Sequence, residues 1–316
     1  MPTEIRNITI FARDGFPLAA TIFNPPKPAA LLTIASALGV TRRHYARFAR
    51  YISRFAIATV TFDYRGIGDS GPAWLKDAKG GLTALGRHDL DAVLSWTQAL
   101  TSNQSPLCFI GHSLGTLAFG LAPGNRLASR AISVASGSCY SGLQPFPYNI
   151  VQSLFWSLIV PHLTRMHGYF PGRLAGFKLG NLPASIVVEL AQLCKSPDFV
   201  YRSGEKIAET FPGYQGNIWA LSFTDDKFTS RKAVDELHTK FSMAVLKRSH
   251  LSPGDFGLSS IGHFGAFRRG SERLWDVMAK WLLEAQGSRS SETANSEIAN
   301  IRCRSRGENS TRALPR

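Results

Sequence analysis

Gly111-His112-Ser113-Leu114-Gly115 decides the reading of this chain. The five residues fit the G-x-S-x-G pattern of a nucleophile elbow, a strained turn that lifts a serine hydroxyl above the end of a sheet. The surroundings of so short a pattern carry the weight. Pro106-Leu107-Cys108-Phe109-Ile110 precedes it, an apolar run that reads as a buried strand. Leu114 to Leu121 follows, small and apolar, and reads as a helix start. Strand, sharp turn and helix are the context an elbow needs. Glycines two residues to either side of Ser113 let strand and helix approach with no Cβ between them. The Leu114 N–H then points into the same space as the hydroxyl.

Outward from the elbow, strands and helices alternate. Ile5 to Ala12 and Leu18 to Phe23 read as strands joined by a hairpin at Asp14-Gly15. Ala29 to Ile34, Ile57 to Phe62 and Ala131 to Ala135 are short apolar runs that read as buried strands. Arg43 to Phe55 and Leu82 to Leu100 read as helices. Alternation of this kind predicts an α/β architecture with a mainly parallel sheet and helices on both faces. The rhythm breaks over 140–214, an aromatic, Pro/Gly-punctuated stretch read as a helical cap or lid insertion. It returns with a strand over Ile218 to Phe223, a helix over Arg231 to Thr239, a strand over Met243 to Leu246 and a last helix over Ser271 to Ala285. The expected organisation is therefore 1–139 and 215–286 as the two parts of one core, 140–214 as the cap, and 287–316 as a basic tail. The tail's Ser, Arg, Asn, Glu and Thr composition predicts disorder.

The 316 residues are 44% apolar and 18% charged, enough to bury a sizeable core. Lys and Arg number 36 against 22 Asp and Glu, an excess of +14. These cations are dispersed, and no basic stripe interleaves with stacking aromatics, so no nucleic-acid partner is expected. The densest group, Arg42, Arg43, Arg47, Arg50 and Arg54, reads as a solvated helix face. Cys108, Cys139, Cys194 and Cys303 show neither metal nor redox spacing, which predicts a reduced, intracellular protein. The N-terminus lacks an apolar signal core, and the longest greasy stretch, Ile150 to Val160, is too short to span a bilayer. A cytoplasmic location follows as an expectation. Asn149 to Val160 carries no Lys or Arg on its polar face, so membrane contact is not expected either.

A serine hydroxyl is a weak nucleophile and needs a base held by an acid. An elbow serine takes its acid and then its histidine from later in the chain. Asp225 and Asp226 follow the run Trp219 to Thr224, an apolar strand ending in a polar loop, and are the candidate acids, Asp226 first and Asp225 as its rival. Of the eight histidines, His250 and His263 follow the last predicted strand. His263, in the glycine-flanked Ile261-Gly262-His263-Phe264-Gly265, is the better base. His112 is expected to pack, and His238 to face solvent. Two backbone amides must receive the developing oxyanion. Leu114 supplies one; the loop Ala35-Ser36-Ala37-Leu38-Gly39 supplies the other, assigned to Ala37 with Leu38 as the neighbour able to take its place. No His or Cys cluster has metal-ligand spacing, and neither metal nor cofactor is expected.

The elbow, Asp63-Tyr64-Arg65-Gly66-Ile67-Gly68-Asp69-Ser70, the Asp-Asp strand end and the Ile-Gly-His-Phe loop together resemble the α/β-hydrolase superfamily. Within it the chain resembles a bacterial group near the serine-aminopeptidase-like and monoglyceride-lipase-like hydrolases, from about Ile5 to Gln286. The departures are Ala35-Ser36-Ala37 where relatives have His-Gly, and Thr116 where Gly is frequent. The resemblance implies an eight-stranded α/β-hydrolase fold with Ser113, Asp226 and His263 as triad and amides near Ala37 and Leu114 as oxyanion hole. It implies a serine hydrolase cleaving a carboxylic ester or related acyl bond through an acyl-enzyme. Acyl transfer or peptide hydrolysis with the same triad, and a non-catalytic binding role on the same scaffold, are the alternatives. The rings Phe146, Phe155, Trp156, Tyr169, Phe170 and Phe177 suggest an apolar wall, hence a small-molecule substrate with an apolar acyl group. Oligomeric state and acyl length are not legible.

Overall fold

The computed structural model describes residues 2–71, 75, 80–101, 105–172, 180–197, 210–211 and 213–284. The expected tail over 287–316, Cys303 and Phe177 lie outside these residues.

Eight strands form one sheet in the order β1-β2-β4-β3-β5-β6-β9-β10. β1 (Glu4–Phe11) and β2 (Pro17–Asn24) make the expected hairpin, with Phe11 opposite Pro17, and β2 runs antiparallel to β4 (Ile57–Phe62). From β4 onward every pairing is parallel: β3 (Ala30–Ala35), β5 (Leu107–His112), β6 (Ala128–Val134), β9 (Asn217–Phe223) and β10 (Val245–Leu251). β3, β4 and β5 are buried at every residue, which is why they read as unbroken apolar runs. Alternation along β5 sends Phe109 into one core, and Cys108 and Ile110 into the other. The first core also receives α3 (Asp91–Gln98), α4 (Leu114–Leu121) and α8 (Arg231–Thr239). The second is closed by α1 (Ala46–Ile52) and α9 (Glu272–Leu283), whose Phe48, Ile52, Trp275 and Trp281 it contains.

Three local readings need correction. β10 begins at Val245 and continues to Leu251, beyond the predicted end at Leu246, so His250 lies inside the strand. β10 is a sheet edge, and its half-exposed Lys247, Arg248 and Ser249 mask the strand signal. His238 is fully buried on α8, and its Nδ1 lies 2.6 Å from the Val234 carbonyl, to which it donates. Burial pushes its pKa down to about 4. Arg42 is also buried rather than on a solvated face, because it pairs with Asp63 and, at 2.8 Å, with Asp69. That contact and the Arg65 pairs to Asp89 (2.6 Å) and Asp14 (2.8 Å) tie down the loop after β4.

Between β6 and β9 lie α5 (Tyr148–Leu154), a π-helical turn over Phe155–Ile159, α6 (Val160–His167) and α7 (Ala184–Leu193). A two-residue antiparallel pair, β7 (Tyr169–Phe170) with β8 (Leu182–Pro183), joins them. α2 (Gly81–Ala84) leads through a second π-helical turn into α3, so the helix predicted over Leu82 to Leu100 is continuous but locally widened.

α4 is buried at all eight positions and crosses directly behind β3 and β5. A Cβ on Gly111 would come 2.6 Å from the Thr116 backbone nitrogen, and one on Gly115 would overlap the Ala35 carbonyl. Gly115→Ala is expected to lower unfolding stability by about 1–3 kcal/mol through overpacking. A urea titration reads this as a fall in midpoint. An unchanged midpoint would mean that α4 withdraws from β3 at no cost.

Candidate active site

Ser113 follows β5 with φ 53° and ψ −113°, a conformation that costs a non-glycine residue about 1–3 kcal/mol. Its amide donates to the Val134 carbonyl at 2.9 Å, and the Thr116 amide reaches back to its carbonyl at 3.3 Å. The Thr116 hydroxyl stands 3.2 Å from the Gly111 carbonyl and 2.8 Å from the Ser136 hydroxyl. A glycine at 116 could not bridge β5 to the segment after β6 in this way. The sequence pattern showed the departure at Thr116, and only the fold shows what it ties together.

Three side chains from distant parts of the chain meet here. His263 Nε2 lies 3.0 Å from Ser113 Oγ, and His263 Nδ1 lies 2.9 Å from Asp226 Oδ2. With Nδ1–H donating to the carboxylate, the Nε2 lone pair faces the serine hydroxyl. Asp226 is nearly inaccessible, at 1% side-chain exposure, and its other oxygen accepts the Phe228 amide at 2.8 Å and the Thr229 amide at 3.1 Å. Those amides hold the carboxylate in place and aimed at the imidazole. The rings of Phe264 (4.8 Å) and Phe228 (5.4 Å) flank the imidazole and limit water around it.

Asp225 does a different job. Its Oδ2 accepts the Ile261 amide at 2.8 Å, which anchors the start of the His263 loop. His250 is turned away, with Nδ1 2.8 Å from the Ser222 hydroxyl.

The expectation for Ala37 is corrected. Its amide donates to the buried Tyr45 hydroxyl at 3.0 Å and points into the core. The next amide along, Leu38, has no acceptor among the described residues, and Leu38 lines the same cleft as Ser113 and Leu114. Leu114 is the first residue of α4, so its N–H has no intrahelical acceptor. Nothing in the sequence marks Tyr45 as the partner of Ala37; the contact exists only once α1's approach is built.

The cleft above Ser113 has a volume of about 1730 Å³. Leu38, Leu117, Phe155, Trp156, Phe170 and Val187 supply much of its apolar lining. Of the rings expected to form this wall, Phe155, Trp156 and Phe170 do so, whereas Phe146 is 77% exposed and Tyr169 packs near His167. Charged lining residues at the rim, Arg43, Lys227 and Arg268, are cationic. Burial, helped by the nearby Arg268 charge, pushes His44 below the usual histidine range. Among the described residues no group of three or more His, Cys, Asp or Glu could hold a metal ion, and no helix is long and apolar enough to cross a membrane.

No protein-family model and no curated protein matches the chain. Solved structures do. A soluble variant of monoglyceride lipase from Saccharomyces cerevisiae, in complex with a substrate analog, aligns with a TM-score of 0.62 at 14% identity, over 89% of this chain and 94% of that one. The Pyrococcus furiosus esterase Pf2001 aligns at 0.57 and 12% identity, over 88% and 89%. Est1E from Butyrivibrio proteoclasticus aligns at 0.53 and 15%, over 88% and 97%. The chain has the α/β-hydrolase fold.

The two adjacent carboxylates are separable by hydrogen exchange. Asp225→Ala is expected to speed exchange of the Ile261 amide about tenfold or more, since a hydrogen bond to a charged group is worth about 1.5–3 kcal/mol. Asp226→Ala is expected to do the same for the Phe228 and Thr229 amides and to leave Ile261 unchanged. Equal effects of both variants on all three amides would contradict the division of labour.

Proposed function

We propose that the protein is a serine hydrolase that cleaves carboxylic esters with an apolar acyl group. The supporting observation is the hydrogen-bonded line from Ser113 through His263 to Asp226 at the floor of a largely apolar cleft. The likeness in fold to a lipase and an esterase is consistent with it.

In this reading the Ser113 hydroxyl attacks the ester carbonyl while His263 Nε2 takes its proton. Asp226 keeps the imidazole oriented and stabilises its cationic form. The tetrahedral oxyanion is received by the amides of Leu114 and Leu38, with Leu38 taking the role first assigned to Ala37. Each such donor is worth about 2.7–4 kcal/mol in the transition state. The imidazolium returns its proton to the departing alcohol, leaving an acyl-enzyme. Water, deprotonated by the same imidazole, releases the acid and restores the serine.

In this reading the described part of 140–214 serves as the cap over this centre. Phe155 and Trp156 from the widened turn after α5, with Val187 and Leu190 of α7, cover the acyl group and exclude bulk water.

Hydrolysis of nitrophenyl esters of increasing chain length tests the reading. Wild type is expected to turn over, with kcat/KM rising from acetyl to medium-chain acyl groups. Ser113→Ala and His263→Ala are each expected to lower kcat by about 10⁴-fold or more, and Asp226→Asn by about 10³–10⁴-fold. His250→Ala should stay within about threefold, as for a residue outside the reacting set. Turnover that survives Ser113→Ala would contradict the proposal.

A further inference from the structure

Beneath the reacting groups runs a second hydrogen-bonded line, wholly buried. The Ala37 amide lies 3.0 Å from the Tyr45 hydroxyl, that hydroxyl lies 2.8 Å from His112 Nδ1, and His112 Nε2 lies 2.8 Å from the backbone carbonyl of His263. Its two ends are fixed in polarity. A peptide N–H can only donate, and a carbonyl can only accept. The Tyr45 oxygen therefore accepts from Ala37, and His112 Nε2 carries a proton and donates it to the His263 carbonyl. His112 is fully buried, which favours its neutral form, so its bare Nδ1 accepts the Tyr45 hydroxyl proton. In that neutral form no hydroxyl rotor or tautomer is left to choose. Burial, with the His263 ring nearby, holds the His112 pKa well below the ordinary histidine value, in keeping with the neutral form.

The line joins two loops that no strand pairing joins. One end is the residue before Leu38. The other is the backbone of the imidazole that faces Ser113. Its middle is the residue before Ser113, so the three parts of the centre share one ruler. The rings are clamped as well: Phe267 lies 4.9 Å from Tyr45 and 5.3 Å from His112, and Phe264 lies 5.7 Å from His112.

We propose that Tyr45 and His112 are positioning residues, which hold the base loop and the oxyanion loop at a set separation around Ser113. The proposal rests on the serine-hydrolase reading above. Neither side chain touches the substrate; both act through the backbone they hold. The effect belongs in kcat, since a misplacement of about 1 Å can cost about 10²-fold in rate without loosening the substrate.

Three variants test this, with nitrophenyl ester kinetics and thermal melts on each. Tyr45→Phe keeps the ring and removes the link. His112→Leu fills the space with no hydrogen bond. His112→Gln restores a paired acceptor and donor, able to face Tyr45 and the His263 carbonyl together. Tyr45→Phe and His112→Leu are expected to lower kcat by about tenfold or more, with KM within about threefold and a cooperative melt retained. His112→Gln is expected to recover most of that loss. In the full-length wild type labelled with nitrogen-15 histidine, His112 is expected to be neutral with its proton on Nε2. Should His112→Leu fail to fold, Tyr45→Phe and His112→Gln still decide. Wild-type kcat in Tyr45→Phe, a His112→Gln no better than His112→Leu, a loss confined to KM, or a His112 proton on Nδ1 would overturn the proposal. Unaffected variants of an enzyme whose turnover depends on Ser113 overturn the positioning role alone. Absence of Ser113-dependent turnover in wild type overturns the hydrolase reading and this proposal with it.

Discussion

The backbone of Ser113 is held where a serine does not rest by preference, and the rest of the centre is arranged around that constraint. At φ 53° and ψ −113° the chain reverses between β5 and α4 within one residue. The strain persists because both neighbours are immobilised. β5 is central in the sheet and buried at every residue, and α4 is buried along its whole length. Gly111 and Gly115 let the two elements close to backbone contact, and the Thr116 hydroxyl fastens the turn to the segment after β6. The result is a hydroxyl and a helix-terminal N–H presented to one point in space before any substrate arrives.

Around that point the fold brings in its other parts on separate strand ends. In the turn after β9 two adjacent carboxylates take different partners. Asp226 meets the His263 ring while Asp225 holds the Ile261 amide, so the loop is tied through its side chain and its backbone at once. The buried line through Tyr45 and His112 adds a third tie, from below. The loop after β4 that carries Gly66, Ile67 and Gly68 to the cleft is held by ion pairs of Arg42 and Arg65, buried cations that the excess of positive charge conceals in a composition count.

What could be read in the sequence divides by how local the cause is. β4 and α8 were predicted with the bounds they have, because continuous burial or a helical period writes itself into consecutive residues. The meeting of Ser113, Asp226 and His263 was approachable through chain order and a glycine-flanked loop. The course of β10 was not, because an edge strand carries polar residues that mimic a loop. His238 and Arg42 were misjudged because residue type is a poor guide to burial when a buried partner, the Val234 carbonyl or Asp63, awaits the group. The Ala37 amide was misjudged for a related reason. Its direction depends on a hydroxyl eight positions away that reaches it only after α1 packs on the sheet.

The central claim is that Ser113 is an activated nucleophile whose activation depends on His263. Labelling the full-length protein with a fluorophosphonate, followed by mass spectrometry of its peptides, tests this most directly. The account predicts a single covalent adduct on Ser113, formed rapidly in wild type and lost in the His263→Ala protein. Labelling at another residue, or equal labelling of Ser113 with and without the imidazole, would contradict it.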